Sequence, residues 1–402
     1  MRGNLSVLSE SVNRIIATND GYFATSRNGH VLQSWTAFRS VPGSLEFLCL
    51  FCDIISIRFP FCFERTMKRF VPPFLFVFLF ALTLAAVGQE VQWATFEGTA
   101  DKPGSGKTVV LISGDEEYRS EEILTQLGKI LAAHHGFTCH VLYAIDPKTG
   151  EIDPCVTTNI PGLEKLNGAD VAILFLRFRD LPDSQMKPID DYLKSGKPIL
   201  GIRTSTHAFN IPKGKTYSHY SFNYDDKGGP WQQGFGRLVL GETWIDHHGI
   251  HGTEATRGIV APEQKSYKIV QGCEDMHGPT DVYTVRLPLP EGCVPLVLGE
   301  VLTGMKATDP PVPGQKNNPK MPIAWTKPYQ VPNGQKGKAF TSTMGCAEDF
   351  SSEGFRRLLV NATYWLVDLE DRIPPRNLVD IVGTYEPLPM GYAKHKKGVK
   401  PR

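Results

Sequence analysis

The sequence predicts an α/β fold built on a parallel sheet with both faces covered. Apolar runs of strand length (108–112, 138–143, 171–176 and 199–202) alternate with amphipathic segments of helix length. Each run is apolar at successive positions rather than at every second one, as in strands buried on both sides. The 402 residues, 41% of them hydrophobic, are ample for a full core. A net charge of +1 gives no reason to expect a nucleic-acid partner.

The run Gly104-Ser105-Gly106-Lys107-Thr108 resembles a P-loop but fails as one. Asp101 stands where its first glycine belongs, and the run precedes a strand. Residues 89–106 read as a linker. After the strand at 108–112, Ser113 to Ser120 form its carboxyl-end loop. Ser120 reads as the N-cap of a helix over 121–135, with Glu121 and Glu122 in the first turn. A strand at 138–143, a loop at 144–168 and a strand at 171–176 follow. A helix over 182–195 is closed by Gly196. Pro198 then opens the short strand at 199–202, where Gly201 permits close approach of another backbone.

Beyond this strand the pattern changes. Residues 208–235, rich in Tyr, Gly and Asn, read as a loop or lid. Short segments over 267–301, broken by Pro and Gly, suit an antiparallel extension over the ligand edge. Residues 303–320 are a loop, 322–325 and 338–343 two more strands, and 350–369 a closing helix. Residues 371–402 read as an extended basic tail, on the surface or disordered.

The amino-terminal part carries its own signal. Met67-Lys68-Arg69, then an apolar run to Ala86 and Gly88, has the order of a secretory signal peptide, 67–88. Met67 is then the expected start, residues 1–66 an over-extended gene model, and the protein exported, touching a membrane only through that signal. Export permits disulfides. Five cysteines remain after it (Cys139, Cys155, Cys273, Cys293 and Cys346), and Cys273 with Cys293 is the pair to test.

Candidate chemistry collects where parallel strands end at their carboxyl edge, the place where ligands bind in open α/β sheets. The loop Asp115-Glu116-Glu117-Tyr118-Arg119 offers carboxylates, a phenol and a guanidinium. Arg177, Arg179 and Arg203 leave strands at the same edge, to clamp a polar substrate or to neutralise Glu116, Glu117 and Asp180. His207 is the titratable acid–base group of the central turn, Arg203 to His207. His247, His248 and His251 are the densest histidine group. In an extended segment His247 and His251 share a face, suiting zinc or a similar divalent metal. Tyr217, Tyr220, Tyr224 and Trp231 suit stacking on a sugar.

The strand ending Gly201-Ile202, followed by Arg203 and His207, resembles the elbow turn of the class I glutamine amidotransferase-like fold, with Arg203 where that family carries its nucleophilic Cys. Cys-dependent glutaminase chemistry is therefore argued against. The version lacking the Cys is the ThuA-like, trehalose-utilisation family. Leu181-Pro182-Asp183-Ser184-Gln185-Met186, Phe235-Gly236 through His247-His248, Met321-Pro322-Ile323-Ala324-Trp325-Thr326, Gly337-Lys338-Ala339-Phe340-Thr341 and Phe355-Arg356-Arg357-Leu358-Leu359 resemble it across 107–370. The Glu116-Glu117-Tyr118-Arg119 loop departs from the histidine-rich first loop common in that family. The resemblance, to a secreted planctomycete-type form, implies a flavodoxin-like doubly wound, mostly parallel sheet with a β-rich extension. It also implies carbohydrate metabolism.

The expectation is an enzyme, a hydrolase or lyase acting on a sugar or keto-sugar. His207 with Glu116 or Glu117 is expected to be catalytic, Arg177, Arg179, Arg203 and Tyr118 to hold substrate, and His247 with His251 to hold a metal. The alternative is a non-catalytic carbohydrate-binding or scaffolding module. Oligomeric state is not legible.

Overall fold

The computed structural model describes residues 91–402 and, before them, one antiparallel pair of two-residue strands, Ala17–Thr18 and Gly21–Tyr22. The expected signal peptide, 67–88, lies outside the described residues, as does the rest of 1–66. The chain divides into two compact units, Met1–Thr83 and Leu84–Arg402. No helix among the described residues is long and apolar enough to cross a membrane.

The second unit is a mixed α/β structure with one large sheet and few helices. Its strands are β1 (Trp93–Phe96), β2 (Thr108–Gly114), β3 (Thr138–Tyr143), β4 (Val171–Leu176), β5 (Ile199–Ile202), β6 (Thr256–Val260), β7 (Met276–Gly278), β8 (Val294–Val301), β9 (Met321–Tyr329) and β10 (Gly337–Ser342). They lie in the order β1-β3-β2-β4-β5-β10-β9-β8-β6-β7. The pairs from β3 through β10 are parallel, and the remaining pairs are antiparallel.

The continuous apolar runs become strands because both faces are covered. Every residue of β4 and of β5 is buried. Successive side chains alternate between faces. Val109, Leu111, Val171, Ile173 and Phe175 join a core with helices α1 (Ser120–His135) and α3 (Glu353–Leu366). Val110, Ile112, Ala172 and Leu174 join another with helix α2 (Asp183–Lys194).

Several expectations are corrected. Ser120 begins helix α1 and does not cap it. Its hydroxyl accepts from the Asp115 amide at 2.9 Å, and Arg119, at φ 60°, holds the cap position. The cap of α3 is Ser352, which accepts from the Phe355 amide; residues 349–351 form a separate turn. The β-rich extension continues the same sheet edgewise, so its strands do not lie over the ligand edge. Gly201 makes room for a side chain, not a backbone. A Cβ there would lie 2.6 Å from Leu240 Cδ1. Cys273 and Cys293 are free thiols, the first of them buried. The tail is bound to the body: Gly391 and Ala393 amides donate to the Glu117 and Glu116 carbonyls at 2.8 and 2.9 Å, and Ile152 donates to the Val399 carbonyl at 2.8 Å.

Candidate functional site

Strands β2, β4 and β5 end side by side, and each is followed by a non-glycine residue in the left-handed region. These are Arg119 (φ 60°), Phe178 (φ 51°) and Arg203 (φ 43°). Such a conformation costs about 1–3 kcal/mol and persists where surroundings over-determine it, typically at functional sites. Buried polar atoms without a partner among the described residues gather here as well. They are Asp115 Oδ2, Tyr118 Oη, Thr204 Oγ1 and Arg203 Nε. Most buried polar atoms in folded proteins are satisfied, so this group marks the edge as a place for chemistry.

The acidic loop and two of the arginines neutralise one another. Glu116 accepts from Arg177 and, at 2.8 Å, from Arg179. Arg179 is wholly buried and spends its remaining donors on the Arg177, Pro154 and Val156 carbonyls. Arg177 stacks on Phe178 and on Tyr392, whose hydroxyl it meets at 3.0 Å. As clamps for a substrate these two are already engaged.

The third arginine builds a different centre. Arg203 is buried between the rings of Tyr118 and Tyr283, at 4.0 and 5.0 Å. It donates to Asp281 Oδ1 at 3.0 Å, to the Asp281 carbonyl at 2.5 Å and to Thr280 Oγ1 at 3.2 Å. Asp281 is itself buried, and both histidines converge on it. His247 Nδ1 bonds Asp281 Oδ2, and His251 Nδ1 lies 2.8 Å from Oδ1. The outer nitrogen of His251, Nε2, lies 3.7 Å from Glu117 Oε1. His248 turns away to the Lys316 carbonyl. The segment is irregular, not extended, yet the separation of His248 from His247 and His251 holds.

Charge follows from these contacts. Burial alone would raise the Asp281 carboxyl. Hydrogen bonds from His247 and His251 and the nearby Arg203 outweigh burial and hold it well below the usual range. The hydrogen bond to Asp281 raises His251 against partial burial. An imidazole oriented by a buried carboxylate, with its far nitrogen 3.7 Å from Glu117 Oε1, is a competent proton donor or acceptor. Ligand atoms of His247, His251 and Asp281 all lie within 4.8 Å of one another, a donor set that fits zinc or a similar ion.

His207 stands apart in a wall of rings. Phe178, Trp244 and Tyr283 lie at 4.9, 5.6 and 5.7 Å, and its Nδ1 meets Thr206 Oγ1 at 3.2 Å. Burial, with Arg177 and Arg203 nearby, pushes its pKa well below the ordinary value, so it stays neutral. Tyr118 is buried and burial raises its phenol, so it stays neutral beside Arg203. Of the proposed sugar-stacking aromatics, Tyr220 is core: it is fully buried and donates to Asp190 at 2.9 Å. Trp231 packs on Tyr220 at 4.6 Å. A cavity of about 730 Å³ lies between α1 and the tail, lined by Glu121, Tyr143 and Tyr385 among others, and not at the histidines.

Asp281 has no signal in the sequence. It sits in Pro279-Thr280-Asp281-Val282-Tyr283, which has no period and no motif. Asp349, whose carboxyl burial raises to about 6, is equally silent; it accepts from Thr280 Oγ1 and so supports the turn that presents Asp281.

No family model matches the chain, and no curated protein matches it. Among solved structures it is similar to a protein described as ThuA-like from Bacteroides uniformis ATCC 8492. Identity is 15% and the TM-score 0.41, over 69% of this chain and 97% of that one. It is similar to another so described from Parabacteroides merdae ATCC 43184, at 13% and 0.37, over 65% and 90%. It is also similar to the mmIFT52 N-terminal domain, at 14% and 0.30, over 64% and 96%. Likeness at this level says nothing about activity.

Proposed function

We propose that this is an exported, ThuA-like protein of carbohydrate metabolism that acts on a sugar or keto-sugar at the carboxyl edge of its sheet. The observation that carries the reading is the convergence of His247 and His251 on the buried carboxylate of Asp281. The sequence of 67–88 supports export. The parallel strand order β3-β2-β4-β5-β10, with helices packed on each face, supports a flavodoxin-like, doubly wound description of that part.

In this reading the acid–base work belongs to His251 in place of His207. His251 lies between Asp281 and Glu117, which favour its protonated form, and it would give a proton to a leaving or enolised sugar oxygen. Arg203 fixes Asp281 and supplies positive charge beneath it. Alternatively, neutral His247 and His251 with Asp281 would hold a divalent ion such as zinc, which when bound would supply Lewis-acid polarisation of a carbonyl or hydroxyl in place of proton donation by His251. Beside buried His207, the partly exposed rings of Phe178 and Trp244 would offer a sugar an apolar face.

A non-catalytic carbohydrate-binding module is the second reading. The course of the tail across Glu116, Glu117 and Arg177 favours it, because part of the edge is already occupied. Turnover separates the two. The chain is assayed on disaccharides and keto-sugars with and without added zinc, alongside H251A and H207F. Turnover lost in H251A and kept in H207F is the expected result. Sugar binding without turnover in the parent chain, unchanged in H251A, overturns it.

A further inference from the structure

We propose that Asp153, Cys155 and His395 form a second cation site, for zinc or a comparably soft divalent ion, that clasps the carboxyl-terminal tail to the 144–168 loop. One ligand atom from each lies within 4.8 Å of the others. Zinc bonds of about 2.0–2.3 Å put tetrahedral ligands about 3.3–3.8 Å apart, so the three need close by about an ångström. Thiolate with imidazole and carboxylate selects zinc over magnesium or calcium.

The loop side is rigid. Asp153 Oδ1 accepts from the Cys155 amide at 2.9 Å, and the carbonyls of Pro154 and Val156 are both held by buried Arg179. The tail side is aimed. The His395 ring is buried, and its Nε2 lies 3.4 Å from Asp153 Oδ1. That nitrogen accepts from Lys397 Nζ at 2.8 Å, which leaves the proton on Nδ1, an atom with no partner among the described residues. A lone pair and a carboxylate thus face one another with an ammonium between them; Lys397 Nζ is 3.6 Å from Asp153 Oδ2. The site already gathers a cation. Lys397 is 64% exposed and free to swing out when a metal enters. Cys155 would lose its thiol proton to solvent on binding.

The consequence is regulatory. The residues just before His395 lie on the acidic loop, with Gly391 and Ala393 bonded to the Glu117 and Glu116 carbonyls. An ion in the clasp fixes this stretch over the loop, and loss of the ion releases it.

Cobalt(II) titration of the full chain tests the site, because a thiolate ligand gives a charge-transfer band in the near ultraviolet that a histidine–carboxylate site lacks. The expected result is a band lost in C155S and H395A and kept in H247A. In parallel, tryptic cleavage at Lys394, Lys396 and Lys397 is expected to slow about a hundredfold in zinc at one hundred times its Kd, and not in C155S. C155S is a mild change at an exposed position and keeps the fold. A band that survives C155S, or no band at all, or zinc-independent cleavage overturns the proposal.

Discussion

Replacing Asp281 by Asn tests the centre of the site most sharply. The change keeps shape and one acceptor oxygen but removes the charge. Arg203 and Asp281 side chains are both 0% exposed, so the guanidinium stays buried without its counter-ion. Breaking such a pair on one side costs about 3–5 kcal/mol. Arg203 keeps the Asp281 carbonyl, Thr280 Oγ1 and two aromatic faces, which places the loss near 3 kcal/mol at the lower end of that range. The two histidines are about one third exposed, so losing their charged partner adds only about 0.5 kcal/mol each. The total is about 4 kcal/mol. With a urea m-value of about 3 kcal/mol/M, the unfolding midpoint falls by about 1.3 M. R203M and the double variant complete a cycle, with a coupling of at least about 2 kcal/mol expected. A midpoint that moves by less than about 0.3 M, or a cycle without coupling, would show that Arg203 does not depend on the Asp281 charge.

Other outcomes follow from the same contacts. His251 should titrate above its ordinary value in an NMR titration, and D281N should bring it back down. Its raised pKa contributes stability that is full below about pH 6.5 and is lost as pH rises through the folded value, so unfolding should become easier across that window. A flat urea midpoint from pH 6 to pH 8 would contradict this. H207F should cost less than about 1.5 kcal/mol in urea unfolding, because a neutral ring in an aromatic wall is replaced by another ring. G201A should destabilise by about 1–3 kcal/mol, since its methyl meets Leu240 at 2.6 Å in a packed core; an unchanged midpoint would show that Leu240 yields freely.

Those parts of the fold with continuous local signals were legible. Residues 138–143 form a strand because Cys139, Val141 and Tyr143 fill the core on one face and Leu142 the core on the other. The strand read over 322–325 extends through Tyr329 because Thr326 and Lys327 are buried by tertiary contacts, Lys327 Nζ reaching the Leu238 carbonyl. No local pattern shows that. Two of three metal-competent groups, His247 and His251, stood out by density alone. Asp281 did not, because it reaches them from an aperiodic turn 30 residues beyond His251. His207 sits at the expected turn, yet its chemistry is set by the rings of Phe178, Phe222, Trp244 and Tyr283, four separate segments. Composition left the tail either on the surface or disordered. Its anchors are backbone bonds to carbonyls of the acidic loop, and these carry no side-chain signature.

Zinc titration of the C155S chain by calorimetry, beside a C155S/H247A/H251A chain, decides whether the histidine centre binds a metal. Uptake of about one ion per chain by the first and none by the second is the predicted result for a site of two imidazoles and one carboxylate. A C155S chain that takes up no zinc, or takes it up equally with both histidines gone, contradicts a metal centre at His247, His251 and Asp281.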